Sequence, residues 1–242
     1  MPLTMKMFHS ERGFSLIEMM VAMVAGLIVI GAVVVFTVAT AQSSTTNIHS
    51  VRVMQNLRSS LSLIEREIRR SGYNQKALSF AGQCVSATGV CPISGFNTLA
   101  VVSATCLVVS YDNSANATAG VVDAGEFHGF RLTQKAGVGV IQASIAGNTA
   151  APNCGADPGW QDITDPNIVD VTNLTFTRLT DSGGCIQQPT TLLWIVVQDV
   201  RVQMTGQWID PATKLITTRG LDESVRVKND VLSLTQPVGI CT

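Results

Sequence analysis

The chain has 242 residues, a formal net charge of −1, 46% hydrophobic residues and only 14% charged ones. That balance gives no electrostatic case for nucleic acid or another polyanion as ligand, and nucleic acid is not expected among the partners. The length suits one anchored domain of roughly 170 residues, with no internal repeat or low-complexity tract to divide it. One N-terminal segment inflates the hydrophobic fraction.

That segment is Met19 to Ala41, 23 residues without a charge. It exceeds the roughly 20 residues needed to cross a hydrocarbon core about 30 Å thick. A cleavable secretory signal is the competing reading, and Ala39-Thr40-Ala41 supplies a small-residue site for it. Such a signal has an apolar core of about 7–15 residues, shorter than this one. Lys6 and Arg12 precede the run and no comparable basic cluster follows it. The positive-inside rule then predicts residues 1–13 in the cytoplasm and the C-terminal bulk across the inner membrane. Glu18 stands where the apolar run begins. An acid at bilayer depth is costly and is read as functional by default. A Glu that merely snorkels to the interface is the alternative.

Beyond the membrane the pattern predicts a continuing helix, from about Phe14 to Ser71 and near 85 Å long at 1.5 Å per residue. Ile48, Val51, Met54, Leu57, Leu61, Ile64 and Ile68 recur at three- and four-residue steps as one apolar stripe. Arg52, Arg58, Glu65, Arg66, Glu67, Arg69 and Arg70 fall largely on other, solvated faces. Gly72 fits a C-terminal stop, with basic residues in the last turn suiting the helix dipole.

Residues 73–97 read as a loop, and β-rich runs follow. Leu99 to Tyr111 suits one bent strand or two short ones. Phe127–Thr133 and Val138–Ile145 predict a hairpin around Lys135-Ala136-Gly137. Ile168–Leu179 alternates. Thr191–Met204 is the strongest strand, followed by a turn near Asp210-Pro211 and short strands at Leu215–Thr218 and Val225–Val227. Ala146–Pro166 is rich in turn formers and reads as a surface loop. Strands following strands over short turns predict an antiparallel sheet, hence an α+β class.

Six cysteines, at 84, 91, 106, 154, 185 and 241, all follow the anchor. An even number in an exported chain points to disulfides, with fifteen possible full pairings. Cys84 with Cys91 is the first expectation, because Ala87-Thr88-Gly89 supplies a turn between them. Cys154 with Cys185 is a second. Cys106 lies in the apolar string Cys106-Leu107-Val108-Val109, so a buried free thiol is its alternative. Zinc is not expected, since no C-x-x-C pair or nearby His supplies ligand spacing.

No catalytic constellation emerges. His9 belongs to the leader, and His49 and His128 have no Ser, Cys or acid at a triad spacing. There is no P-loop or dinucleotide fingerprint, and no cofactor is expected. Asp112, Asn113, Asn116, Asp123 and Glu126 form one oxygen-rich stretch, and Asp157, Asp162, Asp165 and Asp170 another. Neither has EF-hand spacing, and turn formation explains both more simply than calcium. Trp160, Trp194 and Trp208 read as core or turn packing.

Arg12-Gly13-Phe14-Ser15-Leu16-Ile17-Glu18-Met19-Met20-Val21-Ala22 resembles the class III signal of type IV pilins and pseudopilins. The resemblance implies that a prepilin peptidase cuts after Gly13 and methylates the new amine on Phe14, so that Glu18 becomes the fifth mature residue. That amine would lie one turn before Glu18, at the end of the helix where the dipole favours a carboxylate. Glu18 could then pair with its own amine or with a neighbour's, and the resemblance favours the neighbour, setting axial register in a filament. It also implies a long N-terminal helix packed on an antiparallel sheet, with a leader (1–13), a membrane-spanning or filament-core half (14–41), an amphipathic half (42–72) and a head (73–242).

A second resemblance covers the head. Arg58 to Tyr73 is similar to the helix end of PilW-type minor pilins, as are Val171–Phe176, Asp199–Val202 and Val225–Asn229. The chain departs from that pattern after Tyr73, where Asn74 and Gln75 stand in place of a cysteine. The J-type pseudopilins of type II secretion share much of this outline. The resemblance implies a non-enzymatic subunit that primes a type IV pilus and sits at its tip. Its expected partners are the prepilin peptidase, other minor pilins and the major pilin through the N-terminal helix, and a tip adhesin. It would lie in the inner membrane before assembly and on the extracellular pilus afterwards. A membrane-tethered exported enzyme or ligand-binding module is the alternative from another class.

Overall fold

The computed structural model describes residues 13–75, 96, 99–113, 123–144, 152–155, 159–179, 185–187, 194–211 and 213–233. The chain forms two compact units that divide between Asn47 and Ile48. One helix, α1 (Leu16–Arg70), opens the described fold. Its first part belongs to the N-terminal unit. In the second unit Val53, Leu57, Leu61, Ile64 and Ile68 are buried together with strand residues in one core. Each such side chain contributes about 1.5–3 kcal/mol by leaving water.

This face differs from the predicted stripe in two ways. Ile48 and Val51 are 49% and 55% exposed, whereas Val53 is fully buried, so the apolar stripe starts later and is rotated. Glu67, expected on a solvated face, is 1% exposed on the core side. The helix stops at Gly72, whose φ of 78° suits glycine, and the Gly72 N–H donates to the Ser110 carbonyl at 2.9 Å.

The head contains eleven strands, all paired antiparallel, among its described residues. A five-stranded sheet runs in chain order through β1 (Leu99–Ser103), β2 (Cys106–Ser110), β3 (Phe127–Lys135), β4 (Val138–Ser144) and β5 (Trp160–Asp162). The β3–β4 hairpin turns as expected at Ala136 and Gly137, both at positive φ, which matches the right-handed twist of the strands. The 99–111 run resolves into two strands, β1 and β2, paired with each other. The segment read as a loop at 146–166 contributes β5, because the β4 edge offers Gln142, Ala143 and Ser144 as ladder partners.

A second sheet has the order β10 (Ile216–Arg226), β9 (Asp199–Ile209), β6 (Asp170–Leu179). A third joins β11 (Val231–Ser233), β8 (Trp194–Val196) and β7 (Cys185–Gln187). The single strand expected over Thr191–Met204 is therefore two strands in two sheets. Gln198, next to the break, is buried, its carbonyl taken by the Val227 N–H and its side-chain oxygen by Arg178. The two short strands expected at 215–218 and 225–227 are one eleven-residue strand, β10, with most side chains exposed on a sheet edge. Polar Arg219, Asp222 and Glu223 hid its continuity and suit an edge that must not recruit other strands.

The Cys106–Cys154 disulfide joins β2 to the segment before β5, with Cα atoms 6.1 Å apart. This corrects both the Cys154–Cys185 pairing and the free-thiol alternative for Cys106. Cys185 is itself disulfide-bonded. The expected Cys84–Cys91 pair lies outside the described residues.

Candidate functional site at the start of the helix

The Ser15 carbonyl accepts the N–H groups of Glu18 at 3.0 Å and Met19 at 3.2 Å, so the first helical turn closes directly on Ser15. Ser15 and Glu18 have the S-x-x-E spacing of a capping box, a helix-start signal that the family-level reading of this segment passed over. Gly13 lies outside the helix, and a Cβ placed on it would meet nothing within 4 Å. The fold thus leaves the Gly13–Phe14 bond in the open. Phe14 is 85% exposed, and Leu16, Ile17, Met19 and Met20 are exposed around Glu18.

Among the described residues, the Glu18 carboxylate makes no hydrogen bond or ion pair. It is an isolated acid in an apolar, exposed surface, in the first turn where the dipole favours negative charge. The helix is long and apolar enough to cross a membrane, with no part of the apolar window buried inside the protein. Its hydroxyls are self-satisfied: Thr37 donates to the Val33 carbonyl at 2.7 Å and Thr40 to that of Phe36 at 2.8 Å. That leaves no hydroxyl in need of water within the run, as a lipid or helix-packed setting requires. Gly13, Phe14 and Glu18 therefore fall together at one helix terminus, the only expected site residues brought together among the described residues.

A second polar cluster lies inside the head and was not anticipated. The Tyr111 hydroxyl donates to Glu67 Oε2 at 2.6 Å, and Arg66 Nε donates to Glu67 Oε1 at 2.9 Å. His128 stacks on Tyr111 with ring centroids 4.6 Å apart, and Arg70 lies 5.8 Å from the Tyr111 ring. Burial, then the hydrogen bond and charge of Glu67, push the Tyr111 phenol up to about 12. Burial also lowers the pKa of His128, and neither of its ring nitrogens has a hydrogen-bond partner among the described residues. His49, the other histidine of the head, stacks on Trp208 at 3.8 Å.

The oxygen-rich stretches are used to fasten turns. Glu126 accepts backbone N–H groups from Asn113 at 3.0 Å and Asp123 at 2.5 Å, while Asp112 accepts that of Gln75 at 3.1 Å. Asp162 takes Lys135 and Gln142, and Asp170 takes the Gly139 N–H and Gln207. Asn116 and Asp157 lie outside the described residues. Trp160 packs under the Arg131 guanidinium at 4.3 Å.

A long apolar N-terminal helix whose later part packs on antiparallel sheets, with an acid in its first turn, defines a type IV pilin-like protein. Residues 8–34 match the model of the prokaryotic N-terminal methylation motif, which covers Gly13, Phe14 and Glu18. Residues 46–227 match the model described as prepilin peptidase-dependent protein B, and the chain belongs to that family. Neither the curated proteins nor the solved structures supply a match. Dependence on prepilin peptidase implies processing by that enzyme and a role as a pilus or pseudopilus component.

Proposed function

We propose that this protein is a minor pilin, most like the PilW type, which primes assembly of a type IV pilus and enters it at the tip. Prepilin peptidase cuts after Gly13 and methylates the amine of Phe14. The head waits in the periplasm while the helix anchors the subunit in the inner membrane. The protein does no chemistry of its own. Its helix contacts other minor pilins and the major pilin, and its head contacts neighbouring heads and a tip adhesin.

The observation that carries this reading is Glu18, an acid without a partner among the described residues, on an exposed apolar helix surface. A buried charge left single is destabilising by several kcal/mol, so such a surface is stable in an assembly only if a cation is supplied. The amine released at Phe14 is that cation. Asn74, standing where PilW-type pilins carry a cysteine, favours a second reading as a J-type pseudopilin; linked pilin or secretin genes separate the two.

The test is Glu18→Ala. The variant is expected to reach the membrane at the normal level, while its amount in sheared filaments falls at least about tenfold, the effect of losing one strong ion pair. Normal incorporation would overturn the role given to Glu18.

A further inference from the structure

We infer that the cleft between the end of α1 and the end of β10 binds an acidic segment of a partner protein. The cleft has a volume of about 650 Å³ and is lined by Arg69, Ser224, Arg226, Val227 and Lys228. Three of these five residues are cations and none is an acid.

Capping of the helix does not use these charges. The Lys228 backbone N–H takes the Arg69 carbonyl at 3.3 Å, Tyr73 N–H and the Asn229 amide take that of Arg70, and Asn229 takes that of Ser71 at 2.9 Å. The same bonds, with the Val227 N–H on the Gln198 carbonyl at 2.9 Å, hold the cleft's backbone in place before any ligand arrives. A preformed site loses little ordering entropy on binding.

Two of the lining cations already have carboxylate partners. Glu65 holds Arg69 at 3.1 Å, and Asp230 stands 4.0 Å from Arg226. Both pairs are exposed and therefore weak and exchangeable. The Lys228 ammonium makes no ion pair among the described residues. An incoming chain with two or three carboxylates would satisfy Lys228 and compete for the two arginines, and Ser224 adds a hydroxyl that can donate to it. Among the described residues the lining has no aromatic face on which a base could stack, and three cations around a cavity differ from the extended basic stripe a nucleic acid needs. Choosing a protein as the ligand's source rests on the assembly role proposed above; the anion preference of the cleft does not.

The experiment uses the full chain in detergent micelles and a fluorescent octaglutamate peptide, read by anisotropy. Binding is expected, weakening with salt because the pairs are exposed. The double variant Arg226→Glu with Lys228→Glu is expected to bind about tenfold less tightly, since each exposed pair contributes a few-fold and reversal doubles the effect. Arg52→Glu with Arg58→Glu changes net charge equally, away from the cleft, and is expected to leave binding intact. Absence of binding, or equal loss in both double variants, overturns the proposal. Displacement of the peptide by equimolar phosphate reduces the cleft to a simple anion site and also overturns it, as does tighter binding of a DNA oligonucleotide. Filament incorporation of the unaltered chain is scored separately: a protein that binds the peptide but is absent from sheared filaments refutes the pilus reading and leaves the cleft standing.

Discussion

Tyr111 and Glu67 show how a single hydroxyl can hold a carboxylate inside the head. Glu67 has 1% exposure, and its two oxygens are taken by Tyr111 and Arg66. Tyr111→Phe removes one donor and leaves a buried acceptor short of a partner, at a cost of about 1–3 kcal/mol. A urea unfolding midpoint lowered with an unchanged slope would agree; an unchanged midpoint would not. The same cluster gives the head two pH limits. His128 has a lowered pKa in the folded state, so the unfolded chain binds its proton more readily and stability falls as pH drops below about 6.5. Glu67 opposes this shift, while Arg66 and Arg70 reinforce it. Tyr111 is raised to about 12, so its contribution is present below about 10 and is lost as pH climbs from there through 12. Thermal melting across pH should therefore show a plateau with both flanks, and His128→Phe should flatten the acid flank specifically.

At the level of elements, the Cys106–Cys154 bridge spans 48 residues and closes a loop containing β3 and β4. A loop of that length places its entropic effect near 4 kcal/mol, with 2–4 kcal/mol the ordinary outcome. Replacing both cysteines by alanine should lower the melting temperature correspondingly, and an unchanged melting curve would contradict it. This pairing was not legible in the sequence, because Cys154 is brought to β2 only by the ladder that runs through β3, β4 and β5. By contrast, the β3–β4 hairpin and α1 were legible, since a two-residue turn and a three- and four-residue repeat are local signals. The 191–204 run looked like one strand because its apolar residues are nearly continuous; the change of sheet at Gln198 depends on hydrogen bonds from Arg178 and Val227, both distant in sequence. Glu67 defeated the sequence reading for the same reason, as its partner Tyr111 lies 44 positions away. At the candidate site the position was legible, because Gly13, Phe14 and Glu18 form one short string.

For the molecule as a whole, the two units answer different demands. Residues 14–41 expose apolar side chains and one acid, a surface that needs lipid or other helices. The head from Ile48 onward closes its own core, using five helix residues and side chains from the β1–β5 and β10-β9-β6 sheets. The family match from residue 46 to 227 follows the head, and the methylation-motif match follows the first part of the helix. The proposed function requires that the leader be removed first, because the amine proposed to pair with Glu18 does not exist until then. Mass spectrometry of the N-terminal peptide, on protein recovered from sheared filaments, tests this most directly. The account predicts a chain that begins at Phe14 with a methylated amine; a chain that keeps residues 1–13, or begins near residue 42, would contradict it.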